Sequence, residues 1–352
     1  MIRATVAYRP RSTRSLAISE GGSASFSACA DSAGIERLQV ERTEYHEPVL
    51  VDEIVSLYAD HPTGVFIDAT LGGGGHSARL LAAYPTLRII GIDRDPAARA
   101  QAGKVLAPFG DRVRIVAATF GDIVEVVATS RVWMGEDEVV GVLMDLGVSS
   151  HQLDEGERGF SFRAEAPLDM RMDPTSGLTA AQYLATADVH DFTRLLRENG
   201  EDRFAGAIAR SVLKSLPQTT SELSAAVERV VPMAVRRKGH VATRVFQALR
   251  IAVNDEMGQL EAGLNGALEV LDTRGILTVI SYHSGEDRTV KTTFHRWATG
   301  GCQCPQALGC VCGAVAVATV DRASSQLATT DEISHNPRAR SARLRIARKV
   351  TS

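Results

Sequence analysis

Long apolar runs are missing from this chain. None approaches the roughly 18–20 residues that a membrane-spanning helix needs, so the sequence predicts no membrane span. The first thirty residues also lack the apolar block of a secretory signal. Charge of one sign is missing too: 39 basic and 42 acidic residues give a formal charge of −3. No global field therefore pulls the protein onto a polyanion, and any such site has to be a local basic patch. Cysteine is scarce, and four of the five crowd between Cys302 and Cys312, a poor disulfide framework for this length. That usage predicts a reducing, cytoplasmic setting. No internal repeat of the solenoid or propeller kind occurs. What is present, 44% apolar and 23% charged residues over a chain of 352, suffices for one large core or two modest ones and excludes a fibrous or disordered class. Monomer and homodimer both stay open.

Residues 1–42, rich in Ser, Ala, Gly and Arg, show neither helical nor alternating apolar period and read as a disordered extension. Arg3, Arg9, Arg11 and Arg14 precede the first acidic residue, Glu20, so an organelle transit peptide is the rival to a plain mobile tail. From His46 onward, short β-branched runs alternate with helical stretches, the pattern of an α/β fold with a mostly parallel sheet covered on both faces. Strands are expected near 65–69, 88–92, 112–117, 139–146 and 275–281. The gap before the last of these far exceeds one crossover connection, so a unit is inserted there. Thr179, Asp188 and Thr220 stand as N-caps before helical patterns in that gap, and the insert reads as helical. Its last helix is expected to carry the stripe Phe246, Leu249, Val253, Met257, Leu260, Leu264, Leu268 and Leu271, spaced by three and four, back into the sheet. The resulting division is 43–150 with 260–352 for the sheet domain and 151–259 for the inserted helical domain.

Val65 to Ala69 run as a strand into Leu71-Gly72-Gly73-Gly74-Gly75-His76, which places four glycines at a strand's carboxyl end, where open α/β sheets bind ligands. The next strand ends at Asp93, whose carboxylate suits the two hydroxyls of a ribose. Two cofactors fit this spacing. Gly73-x-Gly75-x-x-Ala78 followed by Asp93 satisfies the dinucleotide fingerprint of a nicotinamide dehydrogenase. Asp68, at the pocket end of the first strand, suits the cationic amino-acid end of S-adenosylmethionine and not a pyrophosphate.

Later segments separate the two readings. The fourth strand ends Leu143-Met144-Asp145-Leu146-Gly147-Val148-Ser149-Ser150-His151-Gln152-Leu153-Asp154. Arg158-Gly159-Phe160-Ser161-Phe162 and Pro167-Leu168-Asp169-Met170-Arg171-Met172-Asp173 follow. With His46-x-Pro48-Val49-Leu50, Ala242 to Arg250, Ser281 to Arg288 and Asn336 to Ser341, these segments resemble the bacterial 16S rRNA (cytosine-N(4))-methyltransferase family over about residues 45 to 349. The resemblance implies a Rossmann-like methyltransferase with a helical insertion that modifies a cytidine in the decoding region of small-subunit rRNA. It implies S-adenosylmethionine against Gly74, Gly75, His76, Asp93, Phe120, Asp145 and Gln152. Phe120 would cover the adenine, with a core aromatic as its alternative; Gln152 is otherwise a loop amide. The extension before Tyr45 is longer than is usual in the family, and His151 stands where proline is common.

The cytosine amine is a poor nucleophile, because its lone pair is delocalised into the ring, and a hydrogen-bond acceptor on its N–H helps to localise that pair. Asp145 is the expected acceptor and catalytic residue; the alternative is a carboxylate that only orients the cofactor. The polar-Pro-Pro-aromatic motif of amino-methylating DNA enzymes is replaced here by Asp145-Leu146-Gly147-Val148. A base turned out of its stack needs a flat partner, for which Phe160, Phe162 and Arg171 are candidates against a core-packing reading. His283, with Glu286, Asp287 and Arg288, lines the base pocket or caps the next helix. Residues 229–250, which include Arg244, and 336–349 each hold six Lys or Arg and no acidic residue, and read as phosphate contacts or as solvated basic faces.

No metal ligand is assigned. Cys302-x-Cys304 and Cys310-x-Cys312 read as reduced surface thiols or as a zinc site of tighter spacing than the usual knuckle. Besides a methyltransferase acting on 16S rRNA in the small ribosomal subunit, two functions remain: a catalytically silent rRNA-binding assembly factor and an NAD-dependent dehydrogenase.

Overall fold

The computed structural model describes residues 28–30, 36–38, 48–148, 156–161, 165–201, 203–236, 241–305, 311–320 and 326–350. Gln152, Phe162 and Cys310 lie outside the described residues. The chain divides into a unit of Met1–Glu44 and a unit of Tyr45–Ser352. In the first, β1 (Ala28–Ala30) and β2 (Glu36–Leu38) pair antiparallel with Cys29 opposite Arg37, an element that no apolar period in the sequence announces.

The second unit begins with α1 (Val51–Leu57), β3 (Gly64–Asp68), α2 (Gly75–Ala83), β4 (Leu87–Ile92), α3 (Pro96–Leu106), β5 (Val113–Val116), α4 (Ile123–Met134) and β6 (Val139–Asp145). Successive residues of β3 feed opposite cores: Val65 and Ile67 pack on the face of α4, Phe66 on the face of Tyr58 and Leu80. That is why its sequence is a continuous apolar run instead of an alternation. Each such side chain contributes roughly 1.5–3 kcal/mol on full burial.

Among the described residues, six helices follow β6 before the chain returns to the sheet: α5 (Ala180–Thr186), α6 (Val189–Glu198), α7 (Ala205–Ser215), α8 (Thr220–Glu228), α9 (Met233–Arg236) and α10 (Val241–Asn254). They share a core of their own, with Phe160, Met170, Phe192, Ile208, Leu223 and Leu249. Thr179 and Asp188 cap α5 and α6 as expected. The cap of α8 is Thr219, one residue ahead of the expected Thr220, which instead is buried and accepts the N–H of Ala166.

The chain then returns through α11 (Glu256–Val270), β7 (Ile276–Ser281), α12 (Ser284–Thr299), β8 (Ala318–Val320), β9 (Gln326–Leu327), α13 (Thr330–His335) and β10 (Arg343–Lys349). The single long helix expected from Phe246 to Leu271 is two. Asp255 adopts a left-handed φ of 48°, and the chain changes core there: Phe246 and Leu249 pack among the inserted helices, Leu260, Leu264 and Leu271 against the sheet. The stripe of threes and fours continues across the break, so periodicity alone does not reveal it. Arg250 clasps Glu256 across the break through two hydrogen bonds of 2.7 Å.

The strand order is β5-β4-β3-β6-β7-β10-β8, with β9 also on β10. The first five are parallel, while β10 runs antiparallel to β7, β8 and β9. Much of the basic run 336–349 is therefore a sheet strand: Leu344 and Ile346 are buried, and Arg345 pairs with Asp287. Because β4 and β6 leave β3 in opposite directions, the order reverses at β3. In sheets of this order the ligand crevice lies outside the carboxyl ends of the strands at the reversal, which here are β3 and β6.

Candidate active site at the switch point

Three carboxylates close the ends of adjacent strands. Asp68 ends β3, Asp145 ends β6, and Asp93 follows β4. Asp68 is 1% exposed and accepts hydrogen bonds from Ser77 Oγ at 2.7 Å and the Thr70 N–H at 3.4 Å. Asp93 accepts from the Gly72 N–H on one oxygen and from the Asp95 N–H on the other, both at 2.8 Å. This pins the glycine turn to β4 and leaves each oxygen a lone pair for a further donor. The N–H of Asp145 donates to Thr70 Oγ1 at 2.6 Å, while its Oδ1 accepts from Tyr282 Oη at 2.8 Å.

Among the described residues none of the three has an Arg or Lys ion-pair partner; the nearest basic group to Asp145 is His76, with Nδ1 3.9 Å from Oδ2. His76 Nε2 lies 2.9 Å from the Val49 carbonyl, which can only accept, so Nε2 carries a proton and Nδ1 is the nitrogen nearer Asp145. Burial pushes Asp93 up to about 6, helped by the charges of Asp95 and Asp68 and opposed by the two backbone N–H groups. Burial likewise raises Asp145 to about 6 against the influence of His76 and the Tyr282 hydroxyl, although 24% of its side chain still meets solvent. Asp68 is raised by burial, opposed by His76 and Ser77. Tyr282 is held well above its ordinary value by burial and by Asp145, and so stays a donor at neutral pH. Carboxylates crowded together without an Arg or Lys ion pair favour a cationic ligand and disfavour a pyrophosphate.

The glycines divide by role. Gly74 has φ of 83° at the start of α2, and a Cβ there would meet Leu106 at 3.2 Å; a Cβ on Gly75 would meet Pro48 at 3.2 Å. The left-handed φ favours glycine at Gly74, whereas at Gly75 a side chain would only press on the Pro48 ring. Gly72, at φ 50°, has nothing nearer its Cβ position than Thr70 O at 3.9 Å, so of the three it alone has open space beside it. Phe120 lies between the sheet and α11, where a Cβ on Gly263 would fall 2.8 Å from its ring and 3.3 Å from Met144.

The expected base-contacting residues do not converge as a set. Phe160 is buried in the core of the inserted helices, with the Arg158 guanidinium 5.5 Å from its ring centre. Arg171 is held by both oxygens of Asp169, at 2.7 and 2.8 Å. Arg244 is tied to the buried Glu201 at 2.6 Å. His283 caps α12: its Nδ1 accepts from the N–H groups of Gly285 and Glu286, and its Nε2 faces Glu286 Oε1 at 3.1 Å. Arg288 is exposed on the same helix.

Sequence reasoning missed Tyr282, Thr70 and Ser77, each of which orients a crevice carboxylate. It also missed Arg158, which bonds Asp95 at 2.6 Å and the carbonyls of Arg171 and Met172, joining the inserted helices to the start of α3. The position of Tyr282, next after β7 at the same sheet edge as Asp145, was the available signal.

The model of the MraW methylase family matches residues 43–350. A curated relative from Symbiobacterium thermophilum, named ribosomal RNA small subunit methyltransferase H, is 47% identical over 313 residues, covering 87% of this chain and 97% of its own. Relatives of the same name from Heliobacterium modesticaldum and Geobacter sulfurreducens are 46% and 45% identical, each over 87% of this chain and 99% of their own.

Proposed function

The chain belongs to the MraW methylase family, and we propose that it transfers the methyl group of S-adenosylmethionine to the N(4) amine of a cytidine in the decoding region of 16S rRNA, in the small ribosomal subunit of the cytoplasm. The observation that carries the reading is the strand-end cluster at the switch point, where Asp68, Asp93 and Asp145 stand without an Arg or Lys ion-pair partner among the described residues. That charge suits a sulfonium and an ammonium group and does not suit the pyrophosphate of a nicotinamide dinucleotide. No helix among the described residues is long and apolar enough to cross a membrane.

Bound S-adenosylmethionine supplies an electrophilic methyl group that is displaced in line with its carbon–sulfur bond. The turn from Gly72 to His76 and Asp93 would hold it, the remaining lone pairs of Asp93 accepting the ribose hydroxyls. Phe120, which packs half-buried between the sheet and α11, would cover the adenine. Asp145 would accept a hydrogen bond from the cytosine amine, localising the nitrogen lone pair, and would take the proton that the nitrogen sheds as it gains the methyl group and the sulfonium leaves as a thioether; Tyr282 fixes the carboxylate in the orientation that this requires. Holding acceptor and donor in line supplies as much as roughly 7–11 kcal/mol of the barrier reduction.

The test incubates the protein and isotopically labelled S-adenosylmethionine with small subunits and with deproteinised 16S rRNA, then digests to nucleosides for mass spectrometry. Labelled N(4)-methylcytidine is expected. Its absence on every substrate sinks the reading; rRNA binding without transfer would instead favour the silent assembly factor.

A further inference from the structure

We propose that Cys302, Cys304 and Cys312 form the ligand set of a structural zinc site at the far end of α12. Their sulfur atoms all lie within 4.8 Å of one another. Tetrahedral zinc with bonds of about 2.3 Å places thiolate sulfurs about 3.8 Å apart, so closing the set takes a movement of about 1 Å, within reach of side-chain rotation. Zinc fits such a set, since soft thiolates select it over the oxygen-seeking divalent ions.

The backbone is shaped to bring the two arms of this segment together. The chain leaves α12 through Gly300 and Gly301, at φ 60° and 75°, and turns again at Gly313, at φ 71°. Gly301 donates to the Arg296 carbonyl at 2.8 Å, and Val317 donates to the Trp297 carbonyl at 2.9 Å, so the arms before Cys302 and after Cys312 are both fastened to the last turn of one helix. A Cβ on Gly300 would fall 2.4 Å from the Val315 carbonyl oxygen, which leaves no room for any other residue at this crossing. Among the described residues beyond this base there is little to hold the segment by apolar burial, since Val311 and Val315 are 88% and 65% exposed. A short segment of that kind needs a staple. A fourth donor completes the tetrahedron.

The 16 residues of α12 run from Ser284, next to Tyr282 and His283, to Thr299. At 1.5 Å per residue they separate the cysteines from the crevice by about 24 Å. The metal therefore fastens the end of α12 to the segment leading into β8 and takes no part in methyl transfer.

Full-length protein purified without chelator from zinc-supplemented medium is expected to carry about one zinc per chain by elemental mass spectrometry. Cys304→Ser and Cys312→Ser should each lose at least about fivefold of that metal, and Cys312→Ser should keep its methyl transfer per folded molecule within about twofold at 25 °C. Because a variant can fail to fold, wild-type protein stripped with chelator is titrated with cobalt(II). Thiolate-to-cobalt charge-transfer absorption saturating near one equivalent supports the site. Less than about 0.2 zinc per chain together with no charge-transfer band overturns it, as does full zinc content in the Cys304→Ser, Cys312→Ser double variant.

Discussion

The crevice at the sheet edge and the inserted helices treat charge in opposite ways. In the crevice, Asp68, Asp93 and Asp145 are held by neutral donors and a histidine, and Asp93 and Asp145 titrate near 6. Among the helices and at their junction with the sheet, buried carboxylates meet guanidinium groups: Glu201 with Arg244, Glu256 with Arg250, Asp95 with Arg158. Paired charges maintain a shape. Unpaired ones keep a site ready for a positive ligand at a cost in stability, as expected where function outweighs packing. Each region therefore makes its own forecast for the removal of a charge.

The largest expected effect is on catalysis. Asp145→Asn should lower methyl transfer by roughly 10²–10⁴-fold, the range for loss of a positioned acid–base group, while the protein stays folded and retains rRNA binding. Single-turnover transfer to small subunits measures it, and a loss under about threefold would remove Asp145 from the chemistry. Next comes Glu256→Ala, which strands Arg250 beside the helix break and should cost about 3–5 kcal/mol of unfolding free energy in a urea titration. A cost near zero would make this pair equivalent to an exposed one and erase the contrast between the regions.

Asp145→Asn should also move stability the other way. The folded pKa of about 6 lies above the unfolded value of 3.8, so the folded state binds the proton more tightly. Ionising the group as pH rises from 4 to 6 therefore costs stability, and the cost is complete above 6. The asparagine variant should be more stable than wild type by on the order of 1–3 kcal/mol at pH 8, with the difference vanishing near pH 4. Denaturant titrations at the two pH values check the sign, and destabilisation at pH 8 would contradict it. The smallest effect concerns Tyr282→Phe, which removes the hydrogen bond that lowers the Asp145 pKa. If ionised Asp93 and Asp145 act as proposed, transfer should be lost as pH falls through about 6, and in this variant the midpoint should be displaced upward by about one pH unit, readable from a rate profile between pH 5 and 9.

The parallel half of the sheet was legible because β3, β4, β5, β6 and β7 are short apolar runs bounded by turn residues. Two features were hidden for definable reasons. In β10, arginines alternate with Leu344, Ile346 and Ala347, and a charge count reads as a basic patch what pairing with β7 turns into a strand. At Asp255, both sides of the break bury their apolar faces, so the helical period carries through a change of partner. At the site, the residues that end strands, Asp68, Asp93 and Asp145, followed from the pattern. Tyr282, Ser77 and Arg158 did not, since their role depends on which side chain lies across the crevice or the junction. Arg171, Arg244 and His283 show the converse: residue types suited to binding RNA are engaged by Asp169, by Glu201 and by the backbone of α12.

The break at Asp255 also bears on how the chain reaches its final form. Strand β7 pairs with β6 across the 130 residues between Asp145 and Ile276. Closing so long a loop from a disordered chain costs on the order of 1–2 kcal/mol more than closing the short loop left once the intervening helices have collapsed. Those helices have their own core, and Asn254, one residue before the break, hydrogen-bonds Met170 O and the Met172 N–H near the beginning of the insert. The cheapest order of events therefore assembles the insert first, bringing its two ends together, and only then lets α11 deliver β7 to the waiting edge. In kinetic terms the insertion is a shortcut in the topology of the domain that contains it.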